Sequence, residues 1–260
     1  MPLQFNAIDV TPICNGYEWV IRDEQRLAEL VAQLVVGECE HVRRILSNST
    51  TTPIGVRPEE IEVAVHLLQD VTSDTLRHHR DGWLFQLISW IALRQTDPNS
   101  LAAVPHPRPA DKGFDNLIVS VDGAGRPVSM IIGEDKATQN PRSTVTSQVW
   151  PEIRDIEGKQ RESAIKTALT AVISAGPYDR GDVIRLISDV FWNSHRGYRV
   201  AVAGPVPPIG ELYAGYDNMV SGAGDRRRGE SLALERIRDW FDSFAARVVV
   251  VLQGMETRDV

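Results

Sequence analysis

Lysine is nearly absent from this 260-residue chain: only four of its 28 basic residues are lysines, Lys112, Lys136, Lys159 and Lys166. Cysteine is scarcer still. Cys14 and Cys39 are the only two, too few for a disulfide framework or a cysteine-built zinc site. No apolar run approaches the ~20 residues that span a bilayer. The start, Met1-Pro2-Leu3-Gln4-Phe5-Asn6, lacks the basic segment and apolar core of a secretory signal. These absences predict a soluble, cytoplasmic protein with no membrane partner. An excess of positive charge is missing too, since the formal net charge is −7. Proteins that grip nucleic acid unaided carry a basic footprint, because phosphate contacts supply most of the non-specific affinity. The balance here argues against strong autonomous binding.

What is present reads as an α/β chain with a sizeable core, 42% hydrophobic. The first ~95 residues read as helical. Leu27, Leu30, Val31, Leu34, Val35, Val42 and Ile45 recur at helical spacing from Asp23 to about Leu46. Pro58-Glu59-Glu60 opens a second helix that runs to about Leu76, with proline in the first turn followed by acids. A third helix, Trp83–Arg94, follows Gly82. The Pro-rich stretch Asp97–Ala110 is a loop leading into the remainder. Ser163–Ser174 and Asp182–Asn193 read as helices, Tyr198–Ala203 as a strand, Glu230–Ala245 as an amphipathic helix and Arg247–Leu252 as a buried strand. The chain thus divides into a helical region, 1–95, and an α/β core, 96–260, the helix at 83–94 belonging with the core in a continuous domain.

The richest stretch is Asp111–Thr138. Apolar runs Phe114–Val121 and Val128–Ile132 flank Asp122-Gly123-Ala124-Gly125-Arg126-Pro127, a turn composition that predicts a β-hairpin. Folded symmetrically about that turn, facing pairs are Leu117/Ile132, Val119/Met130 and Val121/Val128, and Asp115 lies opposite Glu134. Lys136, two residues on, shares that face. Two carboxylates and an ammonium therefore converge at the open end of a hairpin. Glu157-Gly158-Lys159 repeats the tripeptide but follows a polar stretch and has no facing Asp.

Asp115, followed on the next strand by Glu134-x-Lys136, resembles the PD-(D/E)xK nuclease superfamily, with Phe114 where the signature has proline. The resemblance spans about Trp83 to Gln148. It implies a restriction-endonuclease-like mixed sheet flanked by helices, and hydrolysis of DNA phosphodiesters with Mg²⁺, for which Mn²⁺ substitutes. Asp115 and Glu134 are the implied metal ligands, the Asp135 main-chain carbonyl another, and Lys136 the residue that assists the attacking water. The preceding helix often carries a metal-facing Glu; Gln86 stands there, with Asp81 as the less favoured choice, so the third carboxylate is lost and the number of metals is left open. Gln148 occupies the place of a catalytic Gln on the following helix. Size, acidity and the lack of a DNA-reading module suit the small nuclease of an antiviral defence system such as Hachiman, with DNA and a partner protein such as a helicase.

Arg77 and Arg80, just before the site helix, and Arg226, Arg227 and Arg228, in a glycine-flanked loop, are candidate phosphate contacts. His78-His79 reads as a polar helix end, since adjacent helical residues point ~100° apart. Trp83 and Trp90 have core spacing. Two other classes stay open: a nuclease fold kept as a non-catalytic nucleic-acid-binding or regulatory subunit, and an unrelated α/β interaction domain with a charged hairpin end.

Overall fold

The computed structural model describes residues 1–110, 113–191 and 196–255. Asp111 and Lys112, at the start of the hairpin stretch, and Asn193, at the expected end of a helix, lie outside them. A seven-stranded mixed sheet runs through the molecule, flanked by helices on both faces. Its strands are β1 (Leu3–Asp9), β2 (Asn15–Ile21), β3 (Leu101–Ala102), β4 (Asn116–Val121), β5 (Pro127–Ala137), β6 (Gly197–Gly204) and β7 (Arg227–Ala233), in the order β1-β2-β7-β6-β5-β4-β3. β5, β6, β7 and β2 are parallel. An antiparallel strand closes one edge and two close the other.

The first helices are α1 (Glu24–Val35), α2 (Cys39–Leu46), α3 (Pro58–Gln69) and α4 (Asp74–Thr96). After β5 come α5 (Pro141–Thr144), a π-helical turn at Val145–Val149, α6 (Trp150–Glu157), α7 (Glu162–Ser174) and α8 (Arg180–Phe191). The chain ends with α9 (Ile209–Leu212), α10 (Tyr216–Met219) and α11 (Ile237–Gln253). Helices α1–α4 and α11 pack on the sheet face that presents Leu3, Trp19, Ala201, Ala203 and Leu232. The connection from β5 to β6, with α9 and α10, covers the other face, where Leu117, Val119, Met130, Ile132, Val200 and Val202 point. Alternation along each strand assigns the two cores. Among the described residues no helix is long and apolar enough to cross a membrane.

Several expectations are corrected. The N-terminal region is not all helical: residues 3–21 form a hairpin that joins the common sheet. Gly16 makes that junction possible. Its φ is +149°, and a Cβ there would meet the Gly229 carbonyl oxygen at 2.0 Å, a close approach open only to glycine. The helix expected at 23–46 breaks at Gly37, whose φ is +86°, in the usual left-handed helix ending. The helix expected to reach Leu76 stops at Gln69, and Ser73 starts α4 by accepting from the Leu76 amide at 3.2 Å. Gly82 does not interrupt α4, because tertiary burial on either side of it outweighs a cost of ~1 kcal/mol.

The loop at 97–110 contains β3, paired to β4. The expected loop at 222–229 is a 3₁₀ turn, Gly224–Arg226, followed by β7. Arg247–Leu252 is not a strand but the end of α11. Phe241, Phe244, Ala245, Val248, Val249 and Leu252 are buried at helical spacing, while Val250 is 68% exposed.

The hairpin keeps the expected register, Asn116↔Gly133 through Ser120↔Ser129. A bulge then shifts Val121 onto Pro127 in place of Val128, which is exposed. Asp122 organises the turn, its carboxylate accepting from the Ala124 and Arg126 amides at 2.9 Å each.

Candidate active site

β4 begins, and β5 nears its end, at the same side of the sheet. Continuing the ladder one step past Asn116↔Gly133 sets Asp115 against Glu134. Lys136 Nζ donates to Glu134 Oε2 at 2.8 Å and lies 3.8 Å from Asp115 Oδ2. The Asp115 carboxylate is held at both oxygens. Oδ1 accepts from Gln86 Nε2 of α4 at 2.5 Å and Oδ2 from the Asp135 amide at 2.8 Å. In an extended strand the N–H and C=O of one residue point to the same side. The Asp135 carbonyl therefore faces the β4 side, where Asp115 sits.

Glu134 is almost wholly buried, and its pKa is pushed up to about 8. Burial is the main cause, helped by the Asp115 and Glu152 charges and opposed by Lys136. For Lys136, burial works against the charged form, but Glu134 and Asp115 outweigh it and hold the ammonium protonated, its pKa above the ordinary lysine value. The site is thus a cation enclosed by acids.

Sequence reasoning did not single out Glu152. It lies on α6, raises the Glu134 pKa and supports the Lys136 charge. It pairs with Arg161 at 3.2 Å, whose guanidinium lies 5.1 Å over the Phe114 ring. Gln148 is exposed on the π turn and joins none of these bonds among the described residues. The π turn breaks the α-helical register between the two positions, and the acid one turn further on takes the inward place.

The middle residue of the tripeptide looks the other way. Asp135 Oδ1 accepts from Ser89 Oγ of α4 at 2.7 Å, and Oδ2 from Asn116 Nδ2 at 2.5 Å. Arg199 of β6, fully buried, donates to Ser89 Oγ at 2.8 Å and reaches Asp135 Oδ1 at 3.4 Å. Its Nε and Nη2 bond Glu230 Oε2 of β7 at 3.0 and 2.7 Å. Arg228 closes the chain on Glu230 Oε1. Burial raises the Asp135 pKa against the pull of Arg199. Burial also acts to raise that of Glu230, but Arg199 and Arg228 outweigh it and leave it lowered. The visible signal was a lone arginine inside the apolar strand Tyr198–Ala203.

The five arginines expected on phosphate are engaged within the fold. Arg80 is buried and bonded to Asp81 and Asp242, and Arg77 pairs with Asp242. Asp81, the alternative metal residue, is fully buried between Arg80 and Arg238. Arg226 bonds the Arg196 and Ser221 carbonyls and Glu157. Arg227 is buried on the carbonyls of Pro12, Ile13, Val220 and Gly222. Arg228 pairs with Glu230, bonds Thr96 and lies over Tyr17. His78 and His79 are exposed on α4, and Trp83 and Trp90 are core residues.

Among the described residues, no group of three or more His, Cys, Asp or Glu side chains is arranged to hold a metal ion. The oxygen donors that lie together are the Asp115 and Glu134 carboxylates, both within 4 Å of Lys136 Nζ, and strand geometry turns the Asp135 carbonyl to the same side of β5 as Asp115. Compared with known proteins, the chain matches no protein-family model and no curated protein sequence.

Proposed function

We propose that the chain is a Mg²⁺-dependent endonuclease of the PD-(D/E)xK kind, acting on DNA as the effector subunit of an antiviral defence system alongside a partner such as a helicase. The observation that carries this reading is the grouping of Asp115, Glu134 and Lys136 at adjoining strand ends, with Lys136 2.8 Å from one carboxylate and 3.8 Å from the other. Two carboxylates and a carbonyl are hard oxygen donors. They suit Mg²⁺, which keeps several waters and is bound through one or two carboxylates plus substrate phosphate. Lys136 already stands as a cation between them, which is the charge such a site attracts.

Asp115, Glu134 and the Asp135 carbonyl would hold the ion. The ion would supply neutralisation of charge at the scissile phosphate. Lys136, kept protonated by its neighbours, donates to the attacking water or to a non-bridging phosphate oxygen as negative charge develops there. Gln86 and the Asp135 amide fix the Asp115 carboxylate so that no reorganisation is needed on binding.

The test is titration of Mn²⁺ into the wild type and Asp115→Asn by calorimetry, with cleavage of plasmid DNA run alongside. Binding and cleavage by the wild type, both lost in the variant, are expected; identical titration curves sink the reading. One observation favours a second reading, a nuclease fold kept as a scaffold: an amide, Gln86, bonds Asp115 where the related enzymes carry a carboxylate. Such a scaffold would show no metal-dependent nicking even with its partner present.

A further inference from the structure

Asp135, Arg199 and Glu230 are buried ions with side chains at most 1% exposed, laid across three strands of a sheet whose neighbouring positions are apolar. Removing such charges from water is costly. Well-packed apolar residues of similar volume often serve stability as well or better. The network therefore calls for a reason other than stability, and its bonding pattern supplies one.

Every contact on Asp135 converges beside the carboxylate–lysine cluster. The Ser89 hydroxyl and Asn116 amide hold its two carboxylate oxygens, and Arg199 anchors Ser89 from behind. With the side chain so fixed, the Asp135 amide is aimed at Asp115 Oδ2, 2.8 Å away. Ser89 lies three residues after Gln86 on α4, so one helix face grips both Asp115 and the residue that orients it. A serine in mid-helix usually bonds back to its own turn; this one donates across to the strand. Gly133 completes the arrangement: a Cβ there would lie 2.8 Å from Asn116 Cβ and force Asn116 away from Asp135.

We propose that Ser89 and Arg199, which face away from the cluster, are positioning residues for it, holding Asp115 in place through the Asp135 backbone. This rests on the reading of Asp115 as a site residue, and the test separates the two. Ser89→Ala removes both the bond to Asp135 and the acceptor for Arg199; Ser89→Thr restores the hydroxyl. Two quantities are measured on each: hydrogen exchange of the Asp135 amide, which needs neither metal nor substrate, and Mn²⁺ affinity. Leu46→Ala, a core truncation outside the network's bonds, serves as a stability control.

In Ser89→Ala the Asp135 amide is expected to exchange roughly tenfold faster relative to the Ile132 amide. Mn²⁺ affinity is expected to fall roughly 10- to 100-fold, the usual effect of losing a residue that orients a ligand. Ser89→Thr recovers both, and Leu46→Ala changes neither. Unchanged Asp135 exchange in Ser89→Ala overturns the proposal, whatever Mn²⁺ does, and so does an equal response in Leu46→Ala. An exchange response without any Asp115-dependent Mn²⁺ binding upholds the positioning and overturns the metal reading alone.

Discussion

Lys136 sits between two carboxylates and in the field of a third, so its ammonium is both the counter-charge that lets Glu134 and Asp115 coexist and a direct donor to Glu134. A guanidinium does not replace it. The Glu134 Oε2 contact is a single 2.8 Å bond at a partly buried position, which a compact point charge fills and a planar fork does not. Lys136→Ala is expected to reduce DNA cleavage about 100-fold or more, with Lys136→Arg recovering little, in a plasmid assay at saturating Mg²⁺. Full activity in Lys136→Ala would remove the residue from the mechanism. At this scale the sequence was legible wherever alternation alone decides a side chain's direction. Asp115, Glu134 and Lys136 share a face because strand period is two, and Gln86 meets Asp115 because the helix before the hairpin packs on that strand end. Glu152 was not legible, since the π turn at Val145–Val149, which contains Gln148, has no sequence signature. The partners of Asp135 were not legible either. They come from α4, β4 and β6, and only the fold of the whole chain joins them.

Among elements, those that the sequence misassigned are ones whose local preference and tertiary setting disagree. Val248-Val249-Val250-Val251-Leu252 is ideal strand composition, yet it continues a helix whose buried stripe began at Ile237. Packing against α1 and α3 outweighs β-branched reluctance, a matter of tenths of a kcal/mol per residue. The two assignments make opposite predictions. In a buried strand Val249 and Val250 would both be covered; in the helix Val248 and Val249 are buried and Val250 exposed. Val250→Lys is expected to change stability by no more than about 0.5 kcal/mol, whereas Val249→Lys costs roughly 3 kcal/mol or more by burying an unpaired charge. Urea unfolding of the two variants measures it, and equal losses would contradict the helix. The loop expected at 222–229 failed for the complementary reason. Glycines flanking three arginines resemble solvated chain, but Gly229 lies where a Cβ would press 2.7 Å from the Tyr213 ring, and Arg227 ties the strand to four carbonyls. There glycine marks close packing, not mobility.

Across the whole molecule, Glu230 of the buried ion network makes stability sensitive to acid. Glu230 is enclosed by Arg199 and Arg228, which lower its pKa in the folded state against the opposing effect of burial. An unfolded glutamate titrates near 4.3. The stabilisation is therefore present above about pH 4.3 and is lost as pH falls through the lower folded value. Asp242, held low by Arg77 and Arg80 despite burial, acts with the same sign. Unfolding free energy measured by urea from pH 3 to 7 is expected to drop on the acid side of that window. Glu230→Gln should lie below the wild type at pH 7, where Arg199 loses the nearer of its two acidic partners, and approach it at pH 3. Parallel curves would mean that Glu230 does not carry the acid sensitivity.

The distribution of arginine over the same molecule bears on the proposal that the chain acts on DNA. With a net charge of −7, a duplex is drawn only by local positive patches, and the patches expected from the sequence are compensated by acids or buried on carbonyls. Arg80 and Arg227 are each only 4% exposed, while Arg77 is paired with Asp242 and Arg226 with Glu157. None of these guanidiniums is left free to release counterions from a phosphate backbone, and each phosphate neutralised contributes about 0.9 to the slope of log affinity against log salt. The isolated chain is accordingly expected to bind labelled duplex at micromolar affinity or weaker near 150 mM salt, with a shallow salt slope. A partner that holds the strand would then supply the substrate at high local concentration, so that weak intrinsic affinity does not limit cleavage. Fluorescence anisotropy at two salt concentrations, with and without Mg²⁺, decides the point. Neutralising Arg226, Arg227 and Arg228 together is no test of phosphate contact, because loss of the Arg227 bonds destabilises the fold itself. Nanomolar binding by the wild-type chain alone would show that the protein reaches DNA unaided, and the partner-dependent reading would be abandoned.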